Sequence, residues 1–295
     1  MKIEFIRSNE DVRMIKAKYG DFHSALGPQL EDEFINGTTE GITLQRESDD
    51  DPHRPRYLAI VDARSERAAR AYFTAWHEIA HLILHPAQLA FTGFRRTPTL
   101  AEVKKDPIES VVDHVAGHLA FYEPLFRPLL DAAVDDHGIT FRALEAARAS
   151  VDPTPSIFAS AMACLHLHDR PILLVKAELA LKKSEERFRS SGQQTFDFAE
   201  HTTEKLRAVT VVPNAGAYEA GIEIRPNMRI PRKSVLYQAF ESLTETDLTA
   251  HEDQAWWEDS ASGSLPPLAI SVHAARRGKY VYGMITLAGA RSRRQ

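Results

Sequence analysis

Hydrophobic and polar positions in the first third of the chain predict two short strands and a long helix. Residues 42–45 and 57–61 alternate like strands on either side of an aspartate-rich turn, which predicts a small antiparallel sheet. A helical spacing of apolar residues runs over 65–85, and Pro86 ends it because proline cannot continue a helix. Residues 1–36 mix charged and apolar positions at helical spacing, so we expect one or two helices there.

The pattern changes from helical in the middle of the chain to strand-like in its last third. Pro107 suits the first turn of a helix that runs to about Tyr122, with Asp106 as its N-cap. Residues 127–168 look helical throughout, and the charged stretch 182–204 is typical of a linker or an exposed helix. A helix over 234–242 is flanked by strand-like segments at 208–212, 221–224, 268–272 and 280–285.

These patterns predict an α+β protein of three parts. We expect a mainly helical domain with a small antiparallel sheet over residues 1–126. A helical segment and linker should follow over 127–204, and a mostly antiparallel α+β domain over 205–295. The 295 residues are enough for two or three domains that each bury a core of their own.

Composition and charge exclude several classes of protein. Hydrophobic residues make up 43% of the chain, yet no apolar run approaches the roughly 20 residues that span a bilayer. The first residues lack the apolar segment of a signal peptide. The single cysteine, Cys164, cannot form an internal disulfide and lies in an apolar stretch, which predicts a core residue and a reducing, cytoplasmic compartment. A net charge of −5 argues against general nucleic-acid binding, which needs a basic face.

The segment His77-Glu78-Ile79-Ala80-His81 carries the candidate chemistry. Histidines four residues apart lie one turn apart on the same face of a helix, so two ring nitrogens can reach one ion at about 2 Å each. Glu78 lies beside them, where its carboxylate can hold and deprotonate a water molecule at the metal. The alternative is a buried amphipathic helix whose histidines are satisfied by hydrogen bonds.

A third ligand is expected from the helix that begins at Pro107. Glu109 and Asp113 are four residues apart, so both carboxylates share one face of that helix. We expect Glu109 to bind the metal and Asp113 to accept the N–H of a ligand histidine. The alternative is an exposed acidic first turn that suits the helix dipole. His85 is disfavoured as a ligand because the first and third histidines of such a series lie about 12 Å apart.

The remaining polar groups near the motif are candidates for contacts with a substrate. His114 and His118, again four residues apart, form either an exposed helix edge or a group that stabilises an oxyanion, and Tyr72 is a further candidate for such contacts. Zinc is the expected metal, but two histidines and one glutamate also accept manganese or iron.

The sequence around these residues resembles the ImmA/IrrE family of metallopeptidases. Residues 70–85 match the family signature R-x-R-F-T-x-x-H-E-x-x-H-x-x-L-H except that Tyr72 replaces the second arginine. Residues 108–119 resemble the family's E-x-x-A-N-x-x-A-x-x-L-L-M-P, with Val112 and Asp113 at the usual alanine and asparagine. The closing L-M-P is replaced by Ala-Phe-Tyr, and the peptidase match as a whole covers about residues 57–125.

The resemblance implies a function and an order of domains. The length and layout are similar to those of the longer IrrE-like radiation-response regulators, which have a peptidase domain, a helical segment like a helix-turn-helix and a C-terminal GAF-like domain. Such a protein would be a zinc endopeptidase that cleaves a helix-turn-helix repressor and thereby switches on a stress or DNA-damage response. The GAF-like domain would bind a small molecule or another signal, which the sequence does not identify.

Two other functions stay open. Residues 140–149 and 156–168 allow a helix-turn-helix that binds DNA, although residues 155–168 contain no lysine or arginine for phosphates and guanine edges. A sensor or scaffold with a structural or degenerate metal site is the other alternative. Trp256 and Trp257 fit either the lining of a ligand pocket or a loop packed on the sheet.

Overall fold

A four-stranded and a five-stranded sheet, accompanied by helices, give the chain a mixed α and β fold. The chain divides into two compact units, one of Met1–Phe126 with Arg148–Ser160 and the other of Arg127–Ala147 with Ala161–Gln295. Within the part that the structure describes, every helix is too short or too polar to cross a membrane. The computed structural model describes residues 1–23, 30–36, 39–47, 51, 53–84, 95–96, 107–151, 155–182, 185, 204–242, 244–259 and 263–289.

The first unit is built on a mixed sheet with the strand order β1-β3-β2-β4. Strand β1 runs parallel to β3, whereas β2 is antiparallel to both β3 and β4. The elements in chain order are β1 (Lys2–Ile6), α1 (Asn9–Tyr19), a π-helical turn (Asp32–Asn36), β2 (Thr39–Gln45), β3 (Tyr57–Asp62), a 3-10 turn (Ser65–Arg67), α2 (Ala68–Leu84), β4 (Arg95–Arg96) and α3 (Pro107–Ala120).

Strand β1 corrects the sequence-based expectation for the N-terminus. Residues 1–36 were expected to be helical beside an antiparallel sheet, but Lys2–Ile6 forms an edge strand parallel to β3. Its strand conformation depends on backbone hydrogen bonds to a segment more than 50 residues away, which local spacing does not reveal. Helix α1 follows as expected, and Ser8 and Asp11 form a capping box at its start.

The two central strands, β3 and β2, are buried on both faces, and helix α2 covers one of these faces. Alternate residues of β3 point to opposite sides, as the period of a strand requires. Leu58 and Ile60 join the cluster that contains α1, whereas Val61 packs against Ala71 and Ala75 of α2. Helix α2 therefore has one side on the sheet and keeps its other side for α3.

Among the described residues after α3, three helices lie between residues 123 and 167, and an antiparallel sheet with the order β6-β5-β11-β10-β7 follows. The expectation of helices over 127–168 is confirmed, and α8 packs on β10, β7 and β11. The elements are α4 (Glu123–His137), α5 (Phe141–Ala149), α6 (Ile157–Leu167), β5 (Leu173–Ala180), β6 (Lys205–Pro213), α7 (Ala215–Glu219), α8 (Val235–Glu241), β7 (Thr246–Asp253), a 3-10 turn (Gln254–Trp256), β8 (Glu258–Asp259), β9 (Gly263–Ser264), β10 (Ala269–Arg277) and β11 (Tyr280–Leu287).

Two features of this sheet differ from the sequence-based expectation. The prediction of a strand over 221–224 is wrong, because Ile222 and Ile224 are buried in the core without strand pairing. In a sequence, an irregular segment that buries alternate residues has the same pattern as a strand. Strand β5 pairs with β6 and β11, so the sheet includes a segment that precedes residue 205.

Two residues singled out by the sequence are core residues. Cys164 is 1% exposed, as expected, and burial, with a smaller effect of the Asp131 charge, raises the pKa of its thiol to about 12. Trp257 is fully buried in the core of the sheet, which favours the packed-loop interpretation over a pocket lining. The expectations for His85, for Asp106 and for most of 182–204 fall outside the described residues.

Candidate metal centre

Helices α2 and α3 pack along each other and bring the predicted site residues together. Their contact is a small apolar cluster of Ala80, Val112 and Ala116, whose short side chains allow a close approach of the two helices. At one end of the contact, the hydroxyl of Tyr72 donates a hydrogen bond to the carbonyl of Ala120. That carbonyl belongs to the last turn of α3, where the backbone carbonyl groups have no hydrogen-bond partner within the helix.

Three side chains from these helices converge at one point. The Nε2 atoms of His77 and His81 are 3.0 Å apart. The carboxylate of Glu109 lies across from both rings, with Oε2 at 3.2 Å from Nε2 of His77 and Oε1 at 3.5 Å from Nε2 of His81. The two histidines are buried, whereas the Glu109 side chain is 46% exposed, so the group opens to solvent on the α3 side.

The separations within this group fit a single metal ion. Zinc binds imidazole nitrogen and carboxylate oxygen at about 2.0–2.2 Å, so two ligands in a tetrahedral arrangement lie about 3.3–3.5 Å apart. The observed separations of 3.0, 3.2 and 3.5 Å lie close to that range. Two histidines and one carboxylate are also a usual donor set for zinc.

Asp113 lies behind His77 and orients its ring. Its Oδ1 is 2.9 Å from Nδ1 of His77, which fits a hydrogen bond donated by the ring N–H. In that tautomer, Nε2 carries the lone pair and faces His81 and Glu109. Asp113 therefore favours the form of His77 that can bind a metal.

Glu78 is held by strand β2, on a face of α2 turned by about 60–100° from the two histidines. Glu78 is 3% exposed, and the hydroxyl of Thr43 donates a hydrogen bond of 2.7 Å to its Oε2. Gly41 leaves the room that this carboxylate occupies, since a Cβ there would lie 3.0 Å from Oε1 of Glu78 and 2.7 Å from Cγ2 of Thr74. Gly41 and Thr43 are two positions apart in β2, so both lie on the same face of the strand.

Sequence reasoning missed Thr43 and Gly41, although both lie in or beside a segment that it predicted to be a strand. Neither belongs to a motif, and only their spacing of two residues could have indicated a shared face toward α2.

The other predicted contacts lie outside the group of three. His114 and His118 are exposed on α3, and His114 follows Asp113 by one residue, which turns it about 100° around the helix. We do not propose a substrate contact for Tyr72, because its hydroxyl is bonded to Ala120 and its ring is buried. Burial raises the pKa of that hydroxyl, and a weaker opposing effect comes from Trp76.

Comparison with known proteins assigns the chain to no family, since no protein-family model and no curated protein matches it. The resemblance to the ImmA/IrrE family therefore rests on the motif residues and their spacing.

Proposed function

We propose that the chain is a zinc-dependent endopeptidase of the ImmA/IrrE type. The observation that carries the proposal is the convergence of His77, His81 and Glu109, with Asp113 behind one histidine and Glu78 on the same helix. These are the residue types that metal-dependent peptide hydrolysis needs: ligands, an orienting carboxylate and a base.

His77, His81 and Glu109 would hold the ion, and manganese is the alternative to zinc for this donor set. When bound, zinc supplies a Lewis acid that polarises the scissile carbonyl and lowers the pKa of water. Asp113 keeps Nε2 of His77 directed to the other ligands.

Glu78 acts as the base in this proposal. Its carboxylate accepts a proton from the attacking water and returns that proton to the amide nitrogen as the C–N bond breaks. The hydrogen bond from Thr43 fixes the orientation of the carboxylate and stabilises its ionised form, which is the form that accepts a proton.

The exposure of the group favours catalysis over a structural metal site. Structural zinc sites are closed by four protein ligands, whereas catalytic sites keep a position open for water or substrate. Among the described residues three ligands gather here, and one of them, Glu109, is 46% exposed. A sensor with a purely structural ion is therefore the less favoured candidate.

We propose a regulatory protein as the substrate, in particular a helix-turn-helix repressor in the cytoplasm whose cleavage starts a stress or DNA-damage response. The similarity of residues 70–85 to the family signature supports this substrate class. We also propose that the five-stranded sheet with α8 belongs to a GAF-like unit that binds a signal molecule, and that the helices between residues 127 and 168 form the HTH-like segment. These helices contain no lysine or arginine at 155–168, which favours contacts with a protein over contacts with DNA.

The proposed activity can be tested without knowing the substrate. Zinc-loaded wild-type chain and Glu78→Gln are each incubated with a cell extract, and new protein N-termini are identified by labelling and mass spectrometry. We expect Glu78→Gln to retain zinc, because Glu78 is not a ligand, and to lose the new N-termini. Identical N-termini from both proteins, or none from either, would contradict an endopeptidase with Glu78 as its base.

A further inference from the structure

Helix α3 carries a second histidine pair with nearly the same geometry as the pair on α2. The Nε2 atoms of His114 and His118 are 3.2 Å apart, with ring centroids 4.6 Å apart and an interplanar angle of 78°. The corresponding values for His77 and His81 are 3.0 Å, 4.7 Å and 76°. Both pairs have a spacing of four residues, which stacks the two rings on one face of a helix.

The second pair lies in different surroundings from the first. Both of its rings are exposed, whereas the rings of His77 and His81 are buried. His114 also lines a shallow surface groove together with Pro107, Ser110 and Val111, so solvent ions reach its ring directly. His114 and His118 are turned about 100° and about 140° around α3 from Asp113, so the pair lies apart from the group proposed for peptide hydrolysis.

We propose that His114 and His118 form a second metal site, which binds one divalent transition-metal ion such as Zn²⁺, Ni²⁺ or Cu²⁺. Two imidazole nitrogens at about 2.0–2.1 Å from one ion lie about 3.3 Å apart in tetrahedral geometry and about 2.9 Å apart at right angles. The separation of 3.2 Å lies between these values, so the rings bind an ion without changing rotamer.

A hydrogen bond between the two rings is the competing explanation for their approach. An N–H···N bond also fits 3.2 Å, but such a bond on an exposed helix contributes little, because water competes for both nitrogens. An ion bound by both rings stabilises the same arrangement more strongly, since it replaces one weak bond with two coordinate bonds.

The ligand chemistry determines which ions the second site takes. Imidazole ligands suit zinc, copper and nickel, whereas magnesium and calcium prefer oxygen ligands. Two protein ligands hold an ion less tightly than the three of the first group, so water completes the coordination and the ion exchanges readily. An ion shared by residues four apart also links successive turns of α3, the helix that carries Glu109.

Zinc titration of the full chain, stripped of metal with a chelator, tests the second site. Calorimetry and metal analysis are applied to wild type, His114→Ala, His118→Ala, His81→Ala and, as a control, His251→Ala, which removes an exposed histidine of β7. We expect two ions per wild-type chain, one bound tightly and one weakly, and the same two ions for His251→Ala. The His114 and His118 variants should each lose the weak ion alone, and His81→Ala should lose the tight one alone.

Circular dichroism shows whether each variant keeps its helices, so that a lost ion is not mistaken for a lost fold. A wild-type chain that binds one zinc ion, or His118→Ala and His114→Ala variants that still bind two, would overturn the second site. Because the first group keeps its own ion in these variants, such a result leaves the proposed peptidase site untouched.

Discussion

At the scale of single residues, the orientation of Glu78 depends on two positions of β2 that belong to no motif. Thr43 donates to one carboxylate oxygen, and Gly41 provides the space beside the other. His77, Glu78 and His81 can be recognised in the sequence because one helix fixes their spacing. Thr43 is 35 residues from Glu78, so its contact arises only when the sheet packs on α2.

Replacing Thr43 by valine removes the donor with almost no change in shape. A hydrogen bond to a charged group contributes about 1.5–3 kcal/mol, so we expect the cleavage rate to fall about 10-fold or more. Thr43→Ser keeps a hydroxyl and should retain most of the activity. Rates are measured on a substrate identified from the new N-termini, and zinc content is measured for each variant.

Zinc content separates a positioning role of Thr43 from a structural one. We expect Thr43→Val to keep its zinc and its melting temperature within a few degrees while losing activity. A variant that cuts at the wild-type rate, or one that loses zinc together with activity, would show that Thr43 does not act by positioning Glu78.

A methyl group at position 41 should disturb the same contact sterically. The added Cβ of Gly41→Ala would meet Cγ2 of Thr74 at 2.7 Å and Oε1 of Glu78 at 3.0 Å. Overpacking of this kind costs about 1–3 kcal/mol, so we expect a lower free energy of unfolding and reduced cleavage. Gly117→Ala is the control, since its Cβ meets nothing within 4 Å and alanine favours a helix by up to about 1 kcal/mol. Urea unfolding of both variants measures the difference, and equal stabilities would contradict the packing of β2 on α2.

At the scale of elements, the sequence predicts the helices of the site better than the strands. Helix α2 was expected over 65–85 and α3 from Pro107 to about Tyr122. The described α2 begins three residues after its expected start, α3 begins at Pro107, and both end within two residues of the expected ends. Their start and stop signals are local, since the apolar spacing lies within each helix and the prolines that mark its limits lie in it or next to it. Strands β1, β5 and β7 were missed, because a strand forms where a distant partner supplies hydrogen bonds.

The contact between β7 and α8 has its own pH dependence. Glu252 is 5% exposed and accepts hydrogen bonds from the backbone N–H of Val235 at 2.7 Å and from the hydroxyl of Ser234 at 3.1 Å. Burial raises its pKa above the ordinary value of 4.5, although these two hydrogen bonds oppose the shift. The protonated form is therefore favoured in the folded state, and stability is lost as pH rises through the folded pKa.

Glu252→Gln should remove that pH dependence, because the amide stays neutral and its oxygen still accepts the bond from Val235. We expect the variant to be more stable than wild type at pH 8 and to lose this advantage below about pH 4, where the wild-type carboxyl is protonated in both states. Urea unfolding at several pH values measures the effect, with the exposed Glu258→Gln as control. A stability difference that does not change with pH would contradict the raised pKa.

At the scale of the whole molecule, the class of fold and the antiparallel pairing of β2 with β3 were predictable, but the pairing of the other strands was not. Alternating segments indicate that strands exist, whereas the parallel alignment of β1 with β3 and the order β6-β5-β11-β10-β7 depend on long-range contacts. The convergence of His77, His81 and Glu109 was predictable for a different reason. His77 and His81 share one face of α2, and Glu109 and Asp113 share one face of α3. The packing of α2 against α3 brings these two faces together.

X-ray absorption at the zinc edge tests the proposal that His77, His81 and Glu109 hold one zinc ion. The chain is loaded with less than one equivalent of zinc, so that the tightest site fills first. We expect a first shell of nitrogen and oxygen at about 2.0–2.1 Å that includes two imidazole rings. The same spectrum should change in Glu109→Gln and remain unchanged in His118→Ala. A chain that binds no zinc, or a spectrum that Glu109→Gln leaves unaltered, would contradict the claim.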